Sequence, residues 1–301
     1  MDLISAQTDF LKFCQRKNLS EHTLRAYRQD ISDFNVWVRR ELVEHPLSKD
    51  AVGAWISNLT ERRLAPTTIK RRVACLKVLC RWLEDEGIAA PNPFNGFRTH
   101  IKLPKRLPKN LSRTELKALL GKQSKASSKG EAFGQHTLHL ALEVLFATGI
   151  RVGELCSIRL EDLDLPSGTI NIKGKGNRER KVYIVDDELK RMVRRYLWAR
   201  KCKKLRTDSF LVSKRGLSVK PSQIRKALHE HVDAAGLKRK ITPHMFRHTT
   251  ATQLLENGVD IRFVQKLLGH ASISTTEVYT HVSDVKLRDA VRGAMLRKAF
   301  S

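Results

Sequence analysis

The last third of the chain holds an ordered series of polar residues whose types suit acid–base and anion chemistry. Thr242-Pro243 starts a helix by the preferences of the N-cap and the first turn, and His244 and Arg247 follow three apart, hence on one face. Gly258 ends that helix. Asp260 caps the next, which closes at Gly269, so His270 stands at a helix C-terminus. Ser274-Thr275-Thr276-Glu277 forms a capping box that puts Tyr279 near the start of a further helix, nine residues beyond His270. Taken singly each has an ordinary explanation, since a lone histidine or tyrosine is usually structural and a helical arginine usually faces water. The ordered set is what asks for a function. His244 and His248 are four apart, but Met245 stands where an H-E-x-x-H zinc helix has Glu, which argues against a metal. The sequence has no GxxxxGK[ST] loop to cradle a nucleotide.

Composition narrows the partner. Across 301 residues, 57 Lys and Arg face 31 Asp and Glu, a formal net charge of +26. The excess is densest between residues 106 and 240, where 31 basic side chains meet 14 acidic ones. Such a balance points to a polyanion, nucleic acid before a membrane surface, because no long basic amphipathic helix stands out. Hydrophobic residues make up 41% of the chain, enough for packed cores, yet no run approaches the ~18 apolar residues of a membrane span. The N-terminus has no signal pattern and the five cysteines are scattered, so a cytoplasmic protein without a disulfide framework is expected.

The elements that must position these residues fall into two parts. Residues 1–105 read as four or five helices: Ser20 caps one with Leu24, Tyr27, Ile31, Phe34 and Val38 on a face, and Pro66 opens another carrying Ile69, Val73, Leu76, Leu79 and Leu83 up to Gly87. Arg98 to Asn110, with Pro104 and Pro108 among five basic residues, reads as an extended basic linker. Ser112 and Glu115 then make a capping box, with Leu111 and Leu116 placed as its hydrophobic staple. Helix dominates the rest except Thr169 to Val185, where alternating TINIK and RKVYIV flank GKGNRE as a hairpin. The expected class is mainly α, in two domains, the second with a small antiparallel sheet.

Several motifs together resemble the tyrosine recombinases, or phage integrases, and most nearly the bacterial Xer type: SEHTLRAYRQDI, KLPKRLPKNLS, ATGIRVGEL, GKGNRER, PHMFRH, LLGH and STTEVYTHV. The resemblance implies a helical core-binding domain over 1–105 that binds DNA and a catalytic domain over 111–301. Arg151 and Arg247 match the two arginines that hold the scissile phosphate, a task for which bidentate guanidinium groups suit the charge gathering on its oxygens. Glu154 matches an acidic residue that orients the first of them. His244 matches a residue assisting proton removal from the nucleophile, His270 one that hydrogen-bonds the phosphate, and Tyr279 the nucleophile itself, whose phenol needs nearby cations to ionise. Lys175 matches the general acid for the departing 5′ oxygen, with Lys173 the competing candidate.

DNA contacts are expected from Arg71, Arg72, Lys102, Lys105, Arg106, Lys173 and Arg178. The family reaction exchanges one phosphodiester for another and so needs no cofactor. Its partners would be a double-stranded recombination site and further protomers, as a tetramer on DNA or with a second recombinase, with accessory proteins an option. The helix expected from Ser283, with Leu287, Val291 and Met295 on one stripe, matches a segment that docks into a neighbouring protomer. A type IB topoisomerase-like nicking-closing enzyme and a non-catalytic DNA-binding regulator are the alternatives. Among recombinases the charge excess and the HMFRH variant lean toward a plasmid- or transposon-borne enzyme over a chromosomal housekeeping one.

The choice between the two lysines has a chemical test. A thiolate leaves without protonation, so a substrate with sulfur at the 5′-bridging position should restore cleavage by Lys175→Ala, while Lys173→Ala should show little defect to restore. The reverse pattern would move the general-acid role to Lys173.

Overall fold

The computed structural model describes residues 3–89, 91–97, 101, 110–121, 131–174, 179–203, 205 and 207–269. Nearly all of the linker, including Lys102, Lys105 and Arg106, lies outside them. So do Lys175, Arg178, His270, Tyr279, the capping box at Ser274 and the helix expected from Ser283. The chain divides into two compact units, residues 1–106 and 107–301.

Unit 1 contains, among the described residues, four helices: α1 (Leu3–Arg16), α2 (Glu21–Arg40), α3 (Lys49–Glu61) and α4 (Pro66–Asp85). Side chains start two of them. The Ser20 hydroxyl accepts the Thr23 N–H at 3.3 Å and the Ser48 hydroxyl accepts the Ala51 N–H at 3.1 Å, each satisfying a donor that the first helical turn leaves free. α4 begins with Pro66 in its first turn, where the missing N–H costs nothing. Leu24, Ile31, Phe34 and Val38 of α2 are buried at the predicted spacing, and Ile69, Val73, Leu76, Leu79 and Leu83 of α4 face the same core. The centre is aromatic: Trp55 of α3 lies 5.4 Å from Phe34, edge to face, and 5.2 Å from Trp37 between ring centroids.

Unit 2 is built around α6 (Glu131–Thr148), whose Leu140, Ala141, Leu142, Val144 and Leu145 are buried on all sides. A run of apolar residues this wide has to be enclosed, and α5 (Arg113–Leu120), α8 (Asp187–Cys202), α9 (Pro221–Ala234) and α10 (Pro243–Glu256) all pack on α6. The expected capping box forms: Ser112 accepts the Glu115 N–H and the Glu115 carboxylate accepts the Ser112 N–H. Thr242 precedes α10 in extended conformation, as a cap residue should, but its hydroxyl makes no cap hydrogen bond and Pro243 alone marks the start. α11 (Ile261–Leu268) is capped by Asp260, which accepts the Arg262 N–H at 2.7 Å, and ends on Gly269 in the left-handed region at φ 67°.

The sheet is antiparallel, in the order β1 (Leu163–Asp164), β2 (Thr169–Lys173), β3 (Glu179–Tyr183). β2 and β3 are the predicted hairpin. β1 is an addition: two residues are too few to show an alternation, and they join β2 through the turn at Ser167 and Gly168. In the β2–β3 register Ile170 faces Val182 and Ile172 faces Arg180, so Arg180 projects from the side of the hairpin that buries Ile170, Ile172 and Val182. α7 (Val152–Ser157) packs on β2 and α11 on β3, bringing the segments around Arg151 and Gly269 to this face.

The aromatic centre of unit 1 gives a stability prediction. Trp55→Ala removes the largest fully buried side chain and should lower unfolding stability by about 3–5 kcal/mol in denaturant titration. A loss under about 1 kcal/mol would mean that the cavity collapses and the cluster is not what holds these helices.

Candidate active site

Two guanidinium groups anchor the site in different ways. Arg247 comes from the second turn of α10 and is 5% exposed; its Nη1 donates to the Gly149 carbonyl at 2.8 Å and its Nη2 to the Leu268 carbonyl at 2.7 Å. It thereby ties the turn after α6 to the end of α11. Gly149 makes that turn at φ 64°, and a Cβ there would meet Leu268 Cδ2 at 2.7 Å, so both conformation and space require glycine.

Arg151 follows on the other side of this turn, immediately before α7. Its backbone N–H donates to Glu154 Oε2 at 2.8 Å and its Nη1 to Glu154 Oε1 at 2.8 Å, while Nη2 reaches the Gly269 carbonyl at 3.5 Å. The side chain remains 41% exposed and can offer its outer edge to an anion.

Glu154 is buried and fully occupied. Besides Arg151 it accepts Arg180 Nη1 on Oε1 at 3.0 Å and Arg180 Nη2 on Oε2 at 2.8 Å. Burial alone would push its carboxyl up, but the Arg180 hydrogen bond, the Arg151 N–H and the Arg180 charge outweigh it and hold the group below its ordinary value. Arg180 was not among the residues expected from the sequence, which singled out Arg178 in the same motif. A signal was present: period-two alternation in β3 puts Arg180 on the side of Val182, where an arginine needs a buried partner.

His244 lies in the first turn of α10, exposed at its rim. Desolvation first, then the positive charges of Arg247, Arg225 and Arg151, lower its pKa below the ordinary imidazole value, which favours a neutral ring able to take a proton. His248, one turn on, is lowered by desolvation, His244 and Arg247. Arg151 and Arg247 are thus within electrostatic reach of His244, and Glu154 joins them through Arg151. The remaining expected site residues, Lys175, His270 and Tyr279, fall outside the described residues.

The expected DNA contacts sit as follows. Lys173 Nζ is 3.7 Å from Asp162 Oδ1, and Asp162 also accepts the Arg159 N–H at 2.8 Å. In unit 1, Arg71 pairs with Asp30, and Arg72 pairs with Asp33 and lies 3.8 Å from Asp30, whose carboxylate is 1% exposed. Arg62 holds both oxygens of Asp33 at 3.1 Å. Arg71 and Arg72 therefore sit in an ion-pair network between α2 and α4, with Arg72 only 11% exposed.

Comparison with known proteins places this arrangement. Residues 109–286 match the model of the phage integrase family, and residues 8–87 that of the phage integrase N-terminal SAM-like domain. A protein named tyrosine recombinase XerC from Anoxybacillus flavithermus is 36% identical over 287 residues, covering 93% of each chain. Among solved structures, the Tn1549 transposon integrase in complex with transposon right end DNA superposes with a TM-score of 0.76 at 17% identity, covering 98% of this chain and 99% of that one. A lambda integrase tetramer bound to a Holliday junction gives 0.69 at 21%, over 92% of this chain and 76% of the other. The chain belongs to the phage integrase family, the tyrosine recombinases.

Proposed function

We propose that this protein is a site-specific DNA recombinase of the Xer type that cuts and rejoins strands through a 3′-phosphotyrosyl intermediate. The observation that carries the reading is the convergence of Arg151, Arg247 and His244, with Arg247 held by two main-chain carbonyls and Arg151 by Glu154. Two cationic forks beside a neutral imidazole provide what an in-line displacement at phosphorus needs: charge for the equatorial oxygens and a proton acceptor for the attacking hydroxyl.

In this mechanism Tyr279 attacks the scissile phosphorus. Its phenolic proton passes to His244 as the P–O bond to tyrosine forms and the bond to the 5′ oxygen breaks. Lys175 protonates that oxygen, and His270 hydrogen-bonds the phosphate. Rejoining is the reverse: a 5′ hydroxyl attacks the phosphotyrosine and returns the proton inventory, so one phosphodiester replaces another. The ion pair between Lys173 and Asp162 supports Lys175 as the acid, because Lys173 already has a carboxylate partner.

The SAM-like N-terminal match supports residues 1–105 as the DNA-binding domain and residues 111–301 as the catalytic one, with the basic linker over 98–110 following the duplex. A lambda integrase tetramer bound to a Holliday junction, and a transposon integrase in complex with transposon end DNA, support assembly of several protomers on the recombination site, alone or with a second recombinase and accessory proteins. The match to XerC over nearly the whole chain favours recombination over topoisomerase-like relaxation or regulation without chemistry. Whether the element served is a chromosome, plasmid or transposon is a separate matter, on which we retain the mobile-element reading. The reading takes the DNA site to be in the cytoplasm; among the described residues no helix is long and apolar enough to cross a membrane.

Two experiments test the mechanism. Tyr279→Phe should fold and bind DNA yet form no SDS-resistant DNA adduct; an adduct in this variant, or one mapping to Tyr183 or Tyr196, would overturn the nucleophile. The second concerns His244, whose pKa lies below the ordinary 6.5. Since the neutral form accepts the proton, cleavage at subsaturating DNA should hold as pH falls to 6.5 and decline only below it, and His244→Gln should be slow with no such limb. A limb centred above 6.5, or one that survives in His244→Gln, would remove the role from His244.

A further inference from the structure

Arg180 spends every nitrogen of its guanidinium inside the protein. Nε donates to the Leu267 carbonyl at 2.8 Å, and Nη1 and Nη2 take the two oxygens of Glu154 at 3.0 and 2.8 Å. The side chain is 11% exposed, and the end of α11 crosses close against it: a Cβ on Gly269 would stand 3.1 Å from Arg180 Cδ and Nε. Three of its five N–H groups are committed within the protein, in a side chain with little surface to offer a DNA phosphate.

Its partners are the informative part. Glu154 is the carboxylate that holds Arg151, through both the backbone N–H and Nη1. One carboxylate between two guanidinium groups leaves a net charge of one. Were Glu154 paired with Arg151 alone, its charge would cancel the cation meant for the phosphate; a second cation on its other side balances the carboxylate. Geometry follows the same path. The Arg180 fork fixes the plane of the carboxylate, the carboxylate fixes Arg151 Nη1, and the Leu267 bond holds the end of α11 in the same unit, across sequence separations of 26 and 87 residues.

We propose that Arg180 is a positioning residue of the recombination reaction, acting through Glu154 to aim Arg151 and keep its charge uncancelled at the scissile phosphate. The inference rests on the transesterification reading above. Arg180 touches no reacting atom, and a buried ion pair of this kind contributes little net stability compared with the orientation it enforces.

The test uses the full-length protein and a nicked substrate that traps the tyrosyl adduct, made once with the natural scissile phosphate and once with a neutral methylphosphonate there. On the phosphate, Arg180→Met should slow single-turnover adduct formation by about 100-fold, as misplacement of a catalytic group does, with DNA affinity within about twofold. Arg180→Lys should recover only a small part, because an ammonium cannot span both carboxylate oxygens. On the methylphosphonate, which lacks one anionic oxygen, the deficit should shrink to within about threefold of the parent. Equal deficits on both substrates would reduce Arg180 to a general structural role, and a parent-like rate on the phosphate would deny it any. Weaker DNA binding with a salt slope lower by about one would make it a direct phosphate contact. If Arg180→Met does not fold, Arg180→Lys carries the same two-substrate comparison. Failure of the parent to form any adduct would overturn the transesterification reading instead, and is seen in the control lane.

Discussion

A guanidinium taken out of water must find acceptors, and those of Arg247 include two main-chain carbonyls. The choice has consequences well beyond one side chain. Carbonyl dipoles satisfy hydrogen bonds without cancelling a unit charge, and they do so here where little solvent screens the guanidinium. The carbonyls belong to Gly149 and Leu268, at the turn after α6 and the end of α11, so those segments must come together around the guanidinium. That closure presses Leu268 against the space a side chain at residue 149 would need and sets Arg151 beside the Gly269 carbonyl.

The arrangement around Arg151 solves the same electrostatic problem by other means. Here a carboxylate is present, and it would orient the arginine at the expense of its charge. Arg180 balances that carboxylate from behind. Both arrangements fix the guanidinium groups geometrically, and desolvation together with the charges of Arg247, Arg225 and Arg151 lowers the pKa of His244 beside them. These polar contacts are poor sources of stability; the enclosed α6 and the aromatic centre of unit 1 carry that load through apolar burial.

How much of this was legible in the sequence depended on whether the information was local. Caps at Ser20, Ser112 and Asp260, the proline starts at Pro66 and Pro243, and the stripes on α2 and α4 are written within one or two helical turns, and they form as read. His244 and Arg247 share a helix and could be paired on paper. The role of Arg180 could not be read that way, because Glu154 and Leu267 lie 26 and 87 residues away and a charged residue in a hairpin is usually solvated. For the same reason Arg71 and Arg72 read as DNA contacts, with no partner in sight along the chain. Their partners Asp30 and Asp33 sit on α2, some forty positions upstream, and appear only when α2 and α4 pack.

That pairing separates two uses of positive charge in one chain. The excess of +26 acts at long range, drawing a polyanion in, and salt weakens it over a screening length of about 8 Å at physiological ionic strength. In unit 1 Arg62, Arg71 and Arg72 answer Asp30 and Asp33, so geometry is held at the cost of attraction. Around Arg247 main-chain carbonyls are among the partners that fix the group. A half-buried site of that kind feels bulk salt far less than the surface does, so encounter with DNA and the chemistry that follows respond to ionic strength as separate steps. The same residue type serves both, and what differs is the partner that orients it: carboxylates of α2 in unit 1, main-chain carbonyls and a carboxylate shared with Arg180 in unit 2.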